Sequence, residues 1–302
     1  MADRKKKGRD ISGILILDKP LNISSNHAVQ RIKRLYGAKK VGHTGSLDPL
    51  ASGVLPICLG HATKVSQYLL ASDKTYQFTM RLGQTTSTGD VEGEVIDEKM
   101  VPVFDEVTLS RLLEKFTGDI QQIPPMYSAL KHNGQRLYAL ARQGQVVDRP
   151  ARDVTIKSLT LLSKTSESLT LEVCCTKGTY VRTLAEDIGN ALGCGAHVTF
   201  LRRIKTGPFA LSESITLEQL ELFQGDLAGL DNLLESLDLA LLEYPEMSFS
   251  EEEKSHLCLG RKIQAENVVC NPLIRLNDMN GRIFGLGKWD GEHQLAPIRI
   301  FV

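Results

Sequence analysis

Between Val41 and Pro56 the chain reads Gly42-His43-Thr44-Gly45-Ser46-Leu47-Asp48-Pro49-Leu50-Ala51-Ser52-Gly53-Val54-Leu55-Pro56, the densest run of chemistry in this 302-residue sequence. Recurrent glycine, serine and proline make it a loop. A carboxylate held there away from bulk water can act as a nucleophile or carry a proton. The same Asp48-Pro49 pair also suits a helix start, with the carboxylate capping free N–H groups and proline at the first helical position. Glycine content would suit a phosphate cradle, yet neither G-x-G-x-x-G nor G-x-x-x-x-G-K-[ST] occurs. From these residues alone, capping and chemistry both stand.

Other reactive side chains lie further along. Residues 74–83 alternate apolar and polar, which predicts a half-buried strand with Tyr76, Phe78, Met80 and Leu82 on one face. Tyr76 then points inward, either as a core residue or as a flat apolar surface carrying a weak acid. Arg182 follows Lys177-Gly178-Thr179-Tyr180-Val181 at a strand-to-helix junction, where a surface salt bridge is the plain reading. Leu201, within the run from Ala196 to Lys205, reads as core. Residues 126–152 interleave Tyr127 and Tyr138 with Lys131, His132, Arg136, Arg142, Arg149 and Arg152. That mixture suits phosphates and stacked bases, or else a surface helix.

The elements that must position these groups are also legible. Ile14-Leu15-Ile16-Leu17 predicts a buried strand, and Asn26–Leu35 a helix capped by Ser24 or Ser25 and ended at Tyr36-Gly37. A helix is expected near 109–117, and another through Asp187 to Leu192. Residues 211–258 hold twelve acids against one base, Lys254, which leaves an excess of 11 positive charges elsewhere although the whole chain is formally neutral. The leucines of 211–243 recur at helical spacing, so this acidic zone should pack on the first domain, away from any RNA surface. Beyond Pro245 the runs 273–276, 282–287 and 297–302 predict short strands of a small barrel or sandwich. Residues 1–12 form a basic mobile tail, 13–248 the main domain and 249–302 the second. Six cysteines without C-x-x-C spacing imply reduced thiols and no zinc site. With neither a membrane-length apolar run nor a signal peptide, a cytoplasmic location is expected.

Six segments in order resemble the bacterial TruB family of pseudouridine synthases: Gly13–Pro20, Gly42–Pro56, Lys74-Thr75-Tyr76, Pro125–Lys131, Lys177–Thr183 and Gly193–Arg203. Ser46 and Ser52 depart from the threonine or alanine expected there. The resemblance implies an α+β fold, in which a pseudouridine synthase catalytic domain with a largely antiparallel central sheet precedes a small C-terminal PUA-like β domain. It also implies a tRNA substrate, with uridine 55 of the T loop isomerised without cofactor or metal. No obligatory protein or guide RNA partner is implied, and the chain is expected to be a monomer. Asp48 takes the position of the catalytic aspartate, which reverses the capping reading. Attack at C1′, addition at C6 and removal of a 2′ proton all remain open as its first step. Arg182 is implied to pair with Asp48, Tyr76 to stack on the uracil, Tyr180 and Leu201 to wall the pocket, and His43 to fill the gap left by the extruded base. Residues 124–152 resemble an insertion that closes over RNA. A tRNA-folding chaperone and a guide-dependent synthase are the two other classes in view.

Overall fold

The computed structural model describes residues 8–264, 273–289 and 294–301. Its first strand, β1 (Gly13–Lys19), is the predicted apolar run, and Ile14 to Leu17 are all buried. Helix α1 (Ser25–Leu35) packs Ala28, Val29 and Ile32 inward and is capped by Ser24, whose side chain accepts from His27 N. Strands β2 (Val41–His43) and β3 (Ala51–Leu59) flank the loop that carries Asp48, and β3 is buried along its whole length. In β4 (Lys74–Leu82) the predicted alternation holds, with Phe78, Met80 and Leu82 buried and Tyr76 partly open.

These strands join one large sheet ordered Ile215–Thr216, β1, β3, Ala196–Thr206, β4, Ser168–Cys175, Arg152–Lys164, Gly118–Gln122. Most neighbours are antiparallel, as expected. The exceptions are β1 with Ile215–Thr216 and β3 with Ala196–Thr206. The second of these brings Leu201 beside Ala51 and Arg203 beside Gly53, setting two distant segments next to the Asp48 loop. Gly53 permits the approach. Its φ is +104°, and a Cβ there would stand 2.1 Å from the Arg203 carbonyl oxygen.

Helix Val181–Ala191 covers the sheet, burying Val181, Leu184, Ala185 and Ile188 in the main core. The acidic zone forms short helices, Leu217–Glu221 and Leu227–Asp231, whose Leu217, Leu220 and Leu230 enter the same core. The predicted helix near 109–117 is Glu106–Glu114. Segment 126–152 is not one surface helix but a hairpin of Lys131–His132 and Gln135–Arg136 followed by helix Leu137–Ala141. Arg9, within the stretch read as tail, pairs with Asp231 at 2.5 Å, so ordered contacts begin before Gly13. Residues 1–7 lie outside the described residues.

The C-terminal part is a five-stranded sheet ordered Glu246–Phe249, Leu273–Asp278, Ile283–Trp289, Gln294–Ile300, Ile263–Gln264. The strand Glu246–Phe249 straddles the boundary expected at 249. Leu286 and Phe301 pack with Ile14, Ile16 and Val54 in a second core that seats this sheet on the first. Among the described residues, no helix is long and apolar enough to cross a membrane, and Cys58, Cys174, Cys175, Cys194 and Cys258 are free thiols. Cys270 lies outside the described residues.

Candidate active site

Asp48 opens a turn, not a helix. Its carbonyl accepts from Ala51 N at 3.0 Å, and the chain then enters β3, whose N–H groups are used by the sheet. The local helix-cap reading fails for that reason, and the carboxylate is left without a capping duty. The loop is pinned from behind. Ser25 accepts from Leu47 N at 2.8 Å and donates to Leu47 O at 3.0 Å, while Asn22 N donates to Pro49 O at 2.8 Å.

Arg182 emerges from the first turn of helix Val181–Ala191 and is 5% exposed. Its Nη2 lies 2.9 Å from Asp48 Oδ2 and donates to Tyr127 O at 2.7 Å; its Nη1 lies 3.3 Å from Asp90 Oδ2 and donates to Thr88 O at 2.9 Å. The surface salt bridge read from sequence is therefore a buried guanidinium joining two carboxylates. Asp90 is buried and its other oxygen accepts from Thr88 Oγ1 at 2.5 Å and Glu92 N at 3.0 Å. Asp48 differs, with a side chain 42% exposed. One carboxylate is thus a buried anchor for Arg182, and the other is oriented by Arg182 while remaining reachable.

Two further cations surround Asp48. Lys19 is fully buried with Nζ donating to Pro20 O at 2.8 Å and Ile23 O at 2.9 Å, and burial pulls its pKa down to about 8 against the attraction of Asp48. Arg203 is 1% exposed, fixed by Nε to Val54 O at 2.7 Å and Nη2 to Gly45 O at 3.1 Å. Burial raises the pKa of the Tyr76 phenol, and Arg203 works against that rise. Tyr180 immediately precedes the Arg182 helix. Its N–H donates to Gln122 Oε1 at 3.0 Å, its carbonyl accepts from Gln122 Nε2 at 3.4 Å, and burial raises its phenol pKa.

A cavity of about 280 Å³ collects Asp48, Tyr76, Tyr180, Arg182 and Leu201. Asp48 also lines a second cavity, of about 630 Å³, which carries His43 with Arg136, Tyr138 and Arg142. The Arg142 and Arg136 guanidinium carbons sit 5.7 and 5.9 Å from the Tyr138 ring centre. His43 is not in the smaller pocket. Its Nδ1 is buried without a hydrogen-bond partner, and burial followed by the Arg203 charge lowers its pKa, so the ring is neutral near pH 7.

Asp90, Arg203, Gln122 and Lys19 were missed by sequence reasoning. Asp90 follows Thr88-Gly89, a turn signal that could have been weighed; the others carry no local signal and become visible only when the sheet assembles. Behind Arg182 lies Glu186, whose pKa is pushed up to about 7 by burial, then by Asp187. The folded protein therefore binds this proton more tightly than the unfolded chain. The stabilisation is complete below the ordinary glutamate range and is lost as pH rises through about 7. Glu186→Gln should melt above wild type at pH 8.5, with the gap closing towards pH 5. A gap that grows on acidification would contradict this.

A large, mostly antiparallel sheet with a carboxylate–guanidinium pair at the mouth of its central pocket defines the class: the fold is that of the pseudouridine synthases. The chain aligns with a solved chain from "Crystal Structure of a Cbf5-Nop10-Gar1 Complex" at TM-score 0.74 and 25% identity, covering 96% of this chain and 85% of that one. Three family models match it in succession: TruB family pseudouridylate synthase (N terminal domain) over 33–181, tRNA pseudouridylate synthase B C-terminal domain over 182–242, and Pseudouridine synthase II TruB, C-terminal, over 245–301. It is 51% identical to tRNA pseudouridine synthase B of Pseudomonas aeruginosa (strain UCBPP-PA14) and 49% identical to that of Stutzerimonas stutzeri (strain A1501), with 99% of each chain covered. The chain belongs to the TruB family of pseudouridylate synthases.

Proposed function

We propose that this protein isomerises uridine 55 in the T loop of tRNA to pseudouridine, with Asp48 as the nucleophile. The observation that carries the reading is the 2.9 Å Arg182–Asp48 contact beside a pocket walled by Tyr76, Tyr180 and Leu201. The curated relatives' names, which specify tRNA, supply the substrate class.

The reaction breaks the bond from N1 of uracil to C1′, turns the base, and joins C5 to C1′. The hydrogen on C5 leaves as a proton and N1 gains one, so no electrons are exchanged with a cofactor. Arg182 aims the Asp48 carboxylate through their 2.9 Å contact. Tyr76 offers a ring for stacking on uracil and a phenol to pass the C5 proton onward. The pocket keeps water from the detached base. A stacked T-loop uridine hides these atoms, so it must be extruded at a cost of about a few kcal/mol. A neutral His43 in the neighbouring cavity suits the vacated place in the stack. The purified chain acts alone in this reading, as a cytoplasmic monomer without guide RNA.

Arg136 and Arg142, on the insertion, grip backbone phosphates. Replacing both by glutamine should lower the slope of log affinity against log salt by about 1–2, measured by filter binding of a T-arm stem-loop. An unchanged slope would remove them from the interface. The function itself is tested by incubating an unmodified tRNA transcript with the purified chain and mapping pseudouridine by carbodiimide-dependent reverse-transcription stops. A single stop at position 55 is expected, and a stop at any other uridine instead would overturn the assignment.

A further inference from the structure

The Pro125–Lys131 segment brings more to the site than the Tyr127 carbonyl on Arg182. Ser128 is 5% exposed and borders both cavities. Its backbone is fixed, since its N–H donates to Met126 O at 2.9 Å and its carbonyl accepts from Tyr138 N at 3.1 Å. The helix that carries the insertion's aromatic and basic groups thereby holds Ser128 against the pocket. Its Oγ is buried without a regular hydrogen-bond partner. The Tyr180 phenol is near enough for the hydroxyl to ease its ionisation, without meeting the geometry of a regular hydrogen bond.

A buried hydroxyl left unpaired costs free energy that alanine at the same place would avoid, so its presence calls for a partner that arrives later. Ser128 lies on the wall where that partner would enter, beside Tyr180 and one residue from the carbonyl that holds Arg182. We propose that the Ser128 hydroxyl is a substrate contact, hydrogen-bonding a polar atom of the extruded uridine when that nucleotide fills the smaller cavity. A hydroxyl both donates and accepts, so a uracil carbonyl or a ribose hydroxyl would satisfy it. This inference rests on the function proposed above.

The test compares wild type with Ser128→Ala on an unmodified T-arm stem-loop, following C5 tritium release, and melts both proteins without RNA. A fall in kcat/KM of roughly 10-fold or more, with a melting temperature equal to or above wild type, supports the contact. A lower melting temperature with unchanged kcat/KM would make Ser128 structural. Loss of the effect in a Tyr180→Phe background would make it a positioning residue for that phenol, which also overturns the proposal. A second arm measures stem-loop affinity of Asp48→Asn with and without Ser128→Ala, so that no substrate is converted. Weakening with uridine but not with an abasic target nucleotide assigns the contact to the base; weakening with both assigns it to the ribose; no weakening with either overturns it. Should wild type itself fail to convert the stem-loop, the isomerase reading falls, and the affinity arm still decides on Ser128.

Discussion

Asp48→Asn should reduce single-turnover conversion of tRNA by roughly 10⁴-fold or more while leaving tRNA affinity and melting temperature close to wild type. The amide keeps the shape of the carboxylate but loses the charge and the nucleophilic oxygen. Arg182 retains Asp90 at 3.3 Å, Thr88 O at 2.9 Å and Tyr127 O at 2.7 Å, so the buried guanidinium keeps its supports. Asp48 is also 42% exposed, and the buried Lys19 that loses its attraction keeps the Pro20 and Ile23 carbonyls. Rapid-quench tritium release gives the rate, filter binding the affinity and calorimetry the stability. A variant retaining a tenth of wild-type turnover would mean that Asp48 only orients other groups.

Arg182→Met should fail differently, losing both turnover and stability. The methionine fills part of the volume but leaves Asp90, with a side chain 3% exposed, without its cation. Breaking a buried pair from one side costs about 3–5 kcal/mol, because the remaining charge is desolvated and uncompensated. The Thr88 and Tyr127 carbonyls lose their donors as well. Adding Asp90→Asn should return part of the lost stability and none of the activity, since Asp48 would still lack its guanidinium. Urea unfolding of the single and double variants measures this. Additive losses would contradict the coupling drawn between Asp90 and Arg182.

The difference between the two variants mirrors what could be read in advance. Asp48 sits in a loop whose glycines and prolines announce themselves, and β4 declares its inward face by strict alternation, so Tyr76 could be placed before the fold was seen. The apolar run of β1 and the turn-separated strands after Pro245 were equally direct. Local patterns failed where the deciding partner is remote in sequence. Asp48-Pro49 resembles a helix start only until β3 takes up the following N–H groups. Arg182 resembles a surface cation until Asp90, some ninety residues earlier, is carried to it by the turn that pairs with Val198. Ser25 looks like a cap residue as much as Ser24 does, yet its hydroxyl holds the Asp48 loop at Leu47. Lys19 and Arg203 are buried cations that no periodicity would place inside. Their charges are tolerable there because backbone carbonyls receive their donors, and Lys19 is also attracted by the Asp48 carboxylate.

The most direct measurement is tritium release from unmodified tRNA labelled at C5 of its uridines, using the purified chain with no metal, nucleotide or guide RNA added. Release of a single equivalent per tRNA, with pseudouridine recovered from the digest, is the expected result. Absence of release while the tRNA remains bound would contradict an aspartate-driven isomerase and leave a tRNA-binding protein in its place.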